Sequence, residues 1–174
     1  IKQCEDGVNK GYDVFYLKIG KNEILEEKMI SAVRNTIGPT KKIRLDTNMS
    51  WNLPQAKKLI NKWHEEYSID FFEAPVQIEP ATQMKELKSS ITSSLCVNEG
   101  LLKENEFIDI INSRCGDYLC CSHYYVGTVR KFLHLAYLSH YHGWLICKHT
   151  HGELGLTAAI GQHLMLCVPN ACDG

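Results

Sequence analysis

Short β-rich runs alternate with helical stretches along the whole chain, and that alternation constrains its fold more than any other feature. Residues 13–19 read as a strand closed by Gly20. Residues 22–38 follow with Leu25, Met29, Val33 and Ile37 on one helical face, until Gly38-Pro39 stops them. A second strand spans residues 43–46. Asn52 then caps, and Pro54 opens, a helix carrying Ala56, Leu59, Ile60, Trp63 and Tyr67 on one side. The strand at 69–73 precedes a helix over 79–88. Three more pairs follow: strands at 95–98, 117–121 and 144–148, and helices over 103–112, 126–142 and 153–166. The helix over 103–112 groups Phe107, Ile108 and Ile111. Six strands, each followed by a helix, predict an α/β fold with a parallel sheet and helices outside it. No linker, low-complexity segment or charge block interrupts the pattern, so residues 1–174 read as one domain.

Two architectures satisfy this alternation, an open doubly wound sheet and a (β/α)8 barrel. No Gly-x-Gly-x-x-Gly turn follows the first strand, which removes the main support for a dinucleotide fold. A barrel places functional groups at the carboxyl ends of several strands. Lys18, Asp46, Glu73 and Glu99 end the first four strands at intervals of 28, 27 and 26 residues, one strand-plus-helix repeat each. Asp117 opens the fifth strand and His149 follows the sixth. Three carboxylates converging on one barrel mouth repel unless a cation lies between them, and Mg²⁺ prefers carboxylate oxygen. Singly, each acid also reads as a helix cap or a surface partner, Lys18 as a snorkelling lysine and His149 as a satisfied core histidine. The run Lys148-His-Thr-His-Gly-Glu153 is a polar turn that is costly unless it faces a site. Within it, His149 and His151 are also candidate ligands of a soft metal, although no third ligand follows at suitable spacing. Tyr124-Tyr125 read as a substrate-stacking pair or as a cover for the barrel rim, and His163 as a packing residue.

Composition excludes several classes of function. Apolar residues make up 44% and charged residues 22% of 174, the balance of a globular protein. Nineteen basic against 20 acidic side chains leave a net charge of -1, without the basic excess of a nucleic-acid or membrane-surface binder. No apolar run approaches the roughly 18 residues of a membrane helix, and the N-terminus has no signal pattern. A cytoplasmic location is therefore expected. The first residue is not Met, which suggests a piece of a longer protein. Eight cysteines include no Cys-x-x-Cys pair, and Cys120-Cys121 are adjacent, a poor arrangement for chelation. They read as scattered, reduced, mostly buried thiols that act as small hydrophobes.

Five ordered segments carry a family resemblance: Tyr16-Leu-Lys-Ile-Gly20, Arg44-Leu-Asp-Thr-Asn48, Phe72-Glu-Ala-Pro75, Asn98-Glu-Gly100 and Lys148-His-Thr-His-Gly-Glu153. In order and spacing the chain resembles the mandelate racemase and muconate lactonising branch of the enolase superfamily. The resemblance implies an incomplete (β/α)8 TIM-type barrel of about six βα units, strands 2 to 7. It also implies that the first barrel strand and the N-terminal capping domain are missing, and that the chain stops at Asp173-Gly174, where the last strand should begin.

Carried across by position, the resemblance makes Asp46, Glu73 and Glu99 the Mg²⁺ ligands and Lys18 the general base. His149 becomes the base or acid on the opposite face, and Asp117 the carboxylate that orients it. Asn48 becomes a hydrogen-bond donor near the site. Tyr16 stands where the family often has a further lysine, and it joins Asn48, Lys148, His151 and Glu153 as an expected substrate-binding residue. The implied chemistry is Mg²⁺-dependent removal of the proton α to a carboxylate. The leading expectation is an acid-sugar dehydratase, followed by a racemase, epimerase or cycloisomerase, with an inactive truncated copy as the non-enzymatic alternative. The expected partner is a small carboxylate, an acid sugar or hydroxy acid, and the parent protein is expected to be a homo-oligomer.

Overall fold

The structure, a computed structural model, describes residues 1–78 and 81–172. It divides into two units, residues 1–95 and 96–174, each built from parallel strands alternating with helices. The first unit runs α1 (Lys2–Asn9), β1 (Val14–Lys18), α2 (Glu23–Ile37), β2 (Lys42–Asp46), α3 (Leu53–Tyr67), β3 (Phe71–Glu73) and α4 (Thr82–Ser89). β1 pairs with β2 and β2 with β3, both parallel.

Local chemistry accounts for the helix starts. Asn22 and Asn52 accept from the backbone N–H groups of Leu25 and Gln55 at 3.1 and 2.9 Å, satisfying donors that the first turns of α2 and α3 cannot use internally. Helix α3 buries Ala56, Leu59, Ile60 and Trp63, the face its spacing predicts, while Tyr67 is only half-buried. Helix α2 departs from expectation. Its buried residues are Glu26, Ile30, Val33 and Ile37, whereas Leu25 and Met29 are exposed. Glu26 causes the difference: its Oε1 accepts from the amides of Gly20, Lys21 and Asn22 at 2.7, 2.6 and 3.0 Å, so a charged residue occupies the inner face.

Helix α1 has no counterpart in the sequence expectation, because its eight polar-rich residues carry too short a period to read. Gly7 lets it lie close to β1, since a Cβ there would come within 2.9 Å of the Phe15 ring. Glu79, at the expected start of the fourth helix, lies outside the described residues, as do Asp173 and Gly174.

Strand alternation sorts the first unit into two layers. Tyr16, Arg44 and Phe71 are register partners on β1, β2 and β3, and two positions on so are Lys18, Asp46 and Glu73. Arg44 is buried; its Nε donates to Asp70 Oδ2 at 2.7 Å and its guanidinium lies 4.7 Å from the Phe71 ring centre. The intervening residues Ile43, Leu45 and Phe72 are fully buried.

The second unit contains β4 (Ser94–Val97, which starts at the close of the first), α5 (Glu104–Ser113), β5 (Tyr118–Cys121), α6 (His123–Val126), α7 (Val129–Tyr141), β6 (Leu145–Lys148) and α8 (Gly155–Met165). β4 pairs with β5 and β5 with β6, again parallel. The single helix expected over 126–142 is interrupted. Gly127 takes φ +93°, and Thr128 caps a new helix by accepting from Lys131 N at 3.1 Å. Beyond α8, Ala171 makes an isolated parallel bridge with Ile146 of β6. Among the described residues six strands alternate with helices and run parallel within each unit, an α/β arrangement consistent with the βα repeats of a TIM-type barrel. Among the described residues no helix is long and apolar enough to cross a membrane, and no disulfide forms.

Candidate active site

Two carboxylates lie buried at the carboxyl ends of neighbouring strands. Asp46 and Glu73 are register partners, 0% and 2% exposed. Ionised carboxylates taken out of water need compensating donors. Lys18, also at this level, forms an ion pair with Asp46 Oδ2, and the Tyr16 hydroxyl donates to Glu73 Oε2. Asn48 donates from its backbone N–H to Asp46 Oδ1 at 2.9 Å, with its side-chain amide 3.5 Å from Oδ2. The turn that allows this puts Asn48 and Met49 at φ +48° and +58°, a region Asn adopts more readily than most residues. Met49 N donates to Ala74 O at 2.7 Å and so ties this turn to the chain leaving β3. Two hard oxygen-donor groups at one level fit Mg²⁺, which binds through one or two carboxylates and keeps several waters. Tyr16, Lys18, Asp46, Asn48 and Glu73 are thus brought together by three strand ends.

In the second unit, Glu99 lies two residues past β4 and is half-buried. His149 follows β6, and its backbone N–H donates to Cys121 O at 3.1 Å. Tyr125 meets both histidines: its hydroxyl is 3.1 Å from His149 Nδ1, 3.3 Å from Nε2, and 2.8 Å from His151 Nε2. The two imidazole rings are 4.2 Å apart, so the two-residue spacing does turn them to the same side. Tyr124 adds a longer contact of 3.5 Å to His149 Nδ1, and the Ser122 hydroxyl donates to the His149 carbonyl.

Other expected site residues are placed differently. The Asp117 carbonyl accepts from Leu145 N, at the amino end of β5, whereas His149 binds the carbonyl of Cys121 at the carboxyl end. Four strand residues, about 13 Å, separate these levels. The structure therefore does not bring Asp117 to His149. A carboxylate that opens a parallel strand stands at the end opposite to one that closes it.

Lys148 and Glu153 pair with each other at 2.6 Å. The hydrogen bond from Lys148 is the main cause holding the Glu153 carboxyl down at about 2. Glu153 also accepts from His151 N at 2.9 Å and so closes the turn on itself. The Lys148 side chain runs alongside Gly161 of α8 and lines a crevice with Cys121 and Leu164, on the helix-covered side of its strand.

Sequence reading missed Ser122, and it left Tyr125 with a choice of rim or stacking roles. The signal for both was a strand end followed at once by one helical turn, His123–Val126, which folds Tyr125 over that end. The cysteines are not scattered either. Cys96, Cys120 and Cys147 bring their Sγ atoms within 4.8 Å of one another, because Cys120 and Cys147 are register partners and Cys96, paired with Tyr118, faces the same side from the next strand.

The model of the enolase C-terminal domain-like family matches residues 1–173. The chain belongs to that family. It is an enolase-superfamily chain of the mandelate racemase and muconate lactonising branch. It is 24% identical over 159 residues to an L-Ala-D/L-Glu epimerase of Clostridium acetobutylicum, a match covering 89% of this chain and 44% of the relative. An N-succinyl-L-Arg/Lys racemase of Bacillus cereus is 30% identical over 110 residues, 63% of this chain and 30% of the relative. The fold matches a dipeptide epimerase of Enterococcus faecalis, solved with Mg and the dipeptide L-Leu-L-Tyr. The TM-score is 0.90 at 19% identity, over 98% of this chain and 48% of that one. This enolase-superfamily chain spans less than half the length of the curated relatives it matches.

Proposed function

We propose that the protein carrying this chain transfers a proton at the carbon α to a carboxylate, with Mg²⁺, as a racemase or epimerase of dipeptides or N-acylated amino acids. The observation that carries this reading is the level shared by Lys18, Asp46 and Glu73 on three adjacent strands. It sets a basic side chain beside two buried hard-oxygen ligands.

Removing an α-proton next to a carboxylate builds a dianionic enolate, which forms only where positive charge is concentrated. Asp46 and Glu73, with Glu99 as the third carboxylate by its family motif, would hold a Mg²⁺ that would supply that charge. Lys18 takes the proton through its Nζ, and Tyr16 and Asn48 hold Glu73 and Asp46 in place by hydrogen bonds. By its family motif His149 is the second proton-transfer group, its ring steadied by the Tyr125 hydroxyl. Racemisation needs only such a pair of proton-transfer groups. Dehydration of an acid sugar also needs a general acid placed at the departing hydroxyl. The relatives that favour the first reading are named for epimerisation and racemisation.

The test is exchange in D₂O. L-Ala-L-Glu, L-Leu-L-Tyr and N-succinyl amino acids are incubated with the protein and Mg²⁺, and loss of the α-proton is followed by NMR. Exchange that Lys18→Ala abolishes for one enantiomer, and His149→Ala for the other, is the expected result. A keto acid formed from an acid sugar, with no exchange of dipeptides, would move the assignment to a dehydratase. A folded protein that binds Mg²⁺ yet exchanges no substrate would mark a copy without this chemistry.

A further inference from the structure

Three buried thiols converge inside the second unit without any part in proton transfer. Cys120 and Cys147 are register partners on β5 and β6, and Cys96 comes from the adjoining β4. All three side chains are buried. The sulfurs lie within 4.8 Å of one another, and Cys96 Sγ is 3.8 Å from Cys147 Sγ. Cys121, next along β5, faces the other side, where it lines the crevice with Lys148 and Gly161. The convergence therefore depends on strand parity, three strands each presenting a cysteine to the same place.

Branched aliphatic residues usually fill such positions in a barrel. Here Cys96 Sγ makes a weak bond to Val97 O at 3.9 Å and Cys147 Sγ one to Leu119 O at 3.7 Å. A metal bound by sulfur at about 2.3 Å sets its ligating sulfurs about 3.8 Å apart in a tetrahedron and about 4.0 Å apart in a trigonal plane. The Cys96–Cys147 separation of 3.8 Å matches the tetrahedral value and is far from the roughly 2.05 Å of a disulfide, while no pair of the three exceeds 4.8 Å. Three soft donors with no carboxylate among them select a thiophilic cation over Mg²⁺.

We propose that Cys96, Cys120 and Cys147 form a three-sulfur site for one thiophilic divalent cation of the Zn²⁺ class. Binding replaces three S–H bonds with three metal–sulfur bonds and releases three protons to solvent. No electron is transferred, and the filled site carries one net negative charge. A fourth position is open to a small exogenous ligand. The donors are side chains of the strands themselves, so the cation loads as the chain folds and ties β4, β5 and β6 together.

Cd²⁺ is the probe, because its thiolate charge-transfer absorption reports the number of bound sulfurs. The full chain carries Cys167→Ser and Cys172→Ser, which removes the two cysteines that are not buried. It is refolded with increasing Cd²⁺. A three-thiolate absorption that saturates at one equivalent, is displaced by Zn²⁺ and raises the melting temperature is expected. Cys120→Val should lose that absorption while folding, since valine suits the same buried position. No absorption in the folded chain at one equivalent, or full absorption in Cys120→Val, would overturn the site and leave the three cysteines as packing groups.

Discussion

Lys18 and Asp46 stand opposite each other on adjacent parallel strands and meet as an ion pair, although the lysine side chain is 65% exposed and the aspartate 1%. The Asp46 carboxylate is also a proposed Mg²⁺ ligand, so the ammonium and the cation compete for it. Lys18→Met should therefore let Mg²⁺ raise the melting temperature at lower concentration than in the wild type, while abolishing α-proton exchange. Thermal melts across a Mg²⁺ series check the first part. An unchanged or weaker response to Mg²⁺ would remove Asp46 from the ligand set.

Gly20 closes β1 at φ +110°, a conformation L side chains rarely adopt. A Cβ there would also collide with the Ser50 side chain and lie 2.9 Å from the Thr47 carbonyl. Gly20→Ala should cost about 1–3 kcal/mol of stability. Denaturant unfolding would measure it, and Gly20→Ala with Ser50→Gly should recover only the part due to the collision.

The turn closed by Lys148 and Glu153 sets a pH dependence. The Glu153 carboxyl, at about 2 in the folded chain against an ordinary 4.5, is depressed chiefly by the Lys148 hydrogen bond. Its contribution to stability is complete above pH 4.5 and fades as pH falls toward about 2. The melting-temperature difference between wild type and Glu153→Gln should shrink across that interval. A constant difference would show that the pair does not form.

Gly161 leaves room on α8 for the aliphatic end of Lys148, which a Cβ would displace. Gly161→Ala should weaken the Lys148–Glu153 pair, even though alanine favours the helix by about 1 kcal/mol. The acid-dependent loss described for Glu153 should be smaller in this variant. An unaltered pH profile would mean that the lysine finds another path to the carboxylate.

Much of the first unit was legible because one period governs it. Lys18, Asp46 and Glu73 recur at nearly equal intervals, and parallel strands with equal-length helices carry equal intervals to one level. The errors come where a second coordinate was needed. Asp117 lies near a strand end, but distance along the chain does not say which end. Lys148 lies in a functional-looking run, yet strand parity sends it toward α8. Leu25 and Met29 fit the helical period as well as Ile30 and Val33 do, and only the three amides waiting for Glu26 choose between the two faces. The cysteine trio was hidden for the same reason: its members share a strand parity, and Cys120 and Cys147 a level, but no spacing motif.

The Glu26 carboxylate grips three successive amides just beyond Lys18. A segment anchored at three consecutive residues has little latitude to swing. The rim beside the basic residue is thus already set before any substrate arrives, and no ordering entropy is lost there on binding. On the proposed function, slow steps in turnover should trace to loops other than this turn.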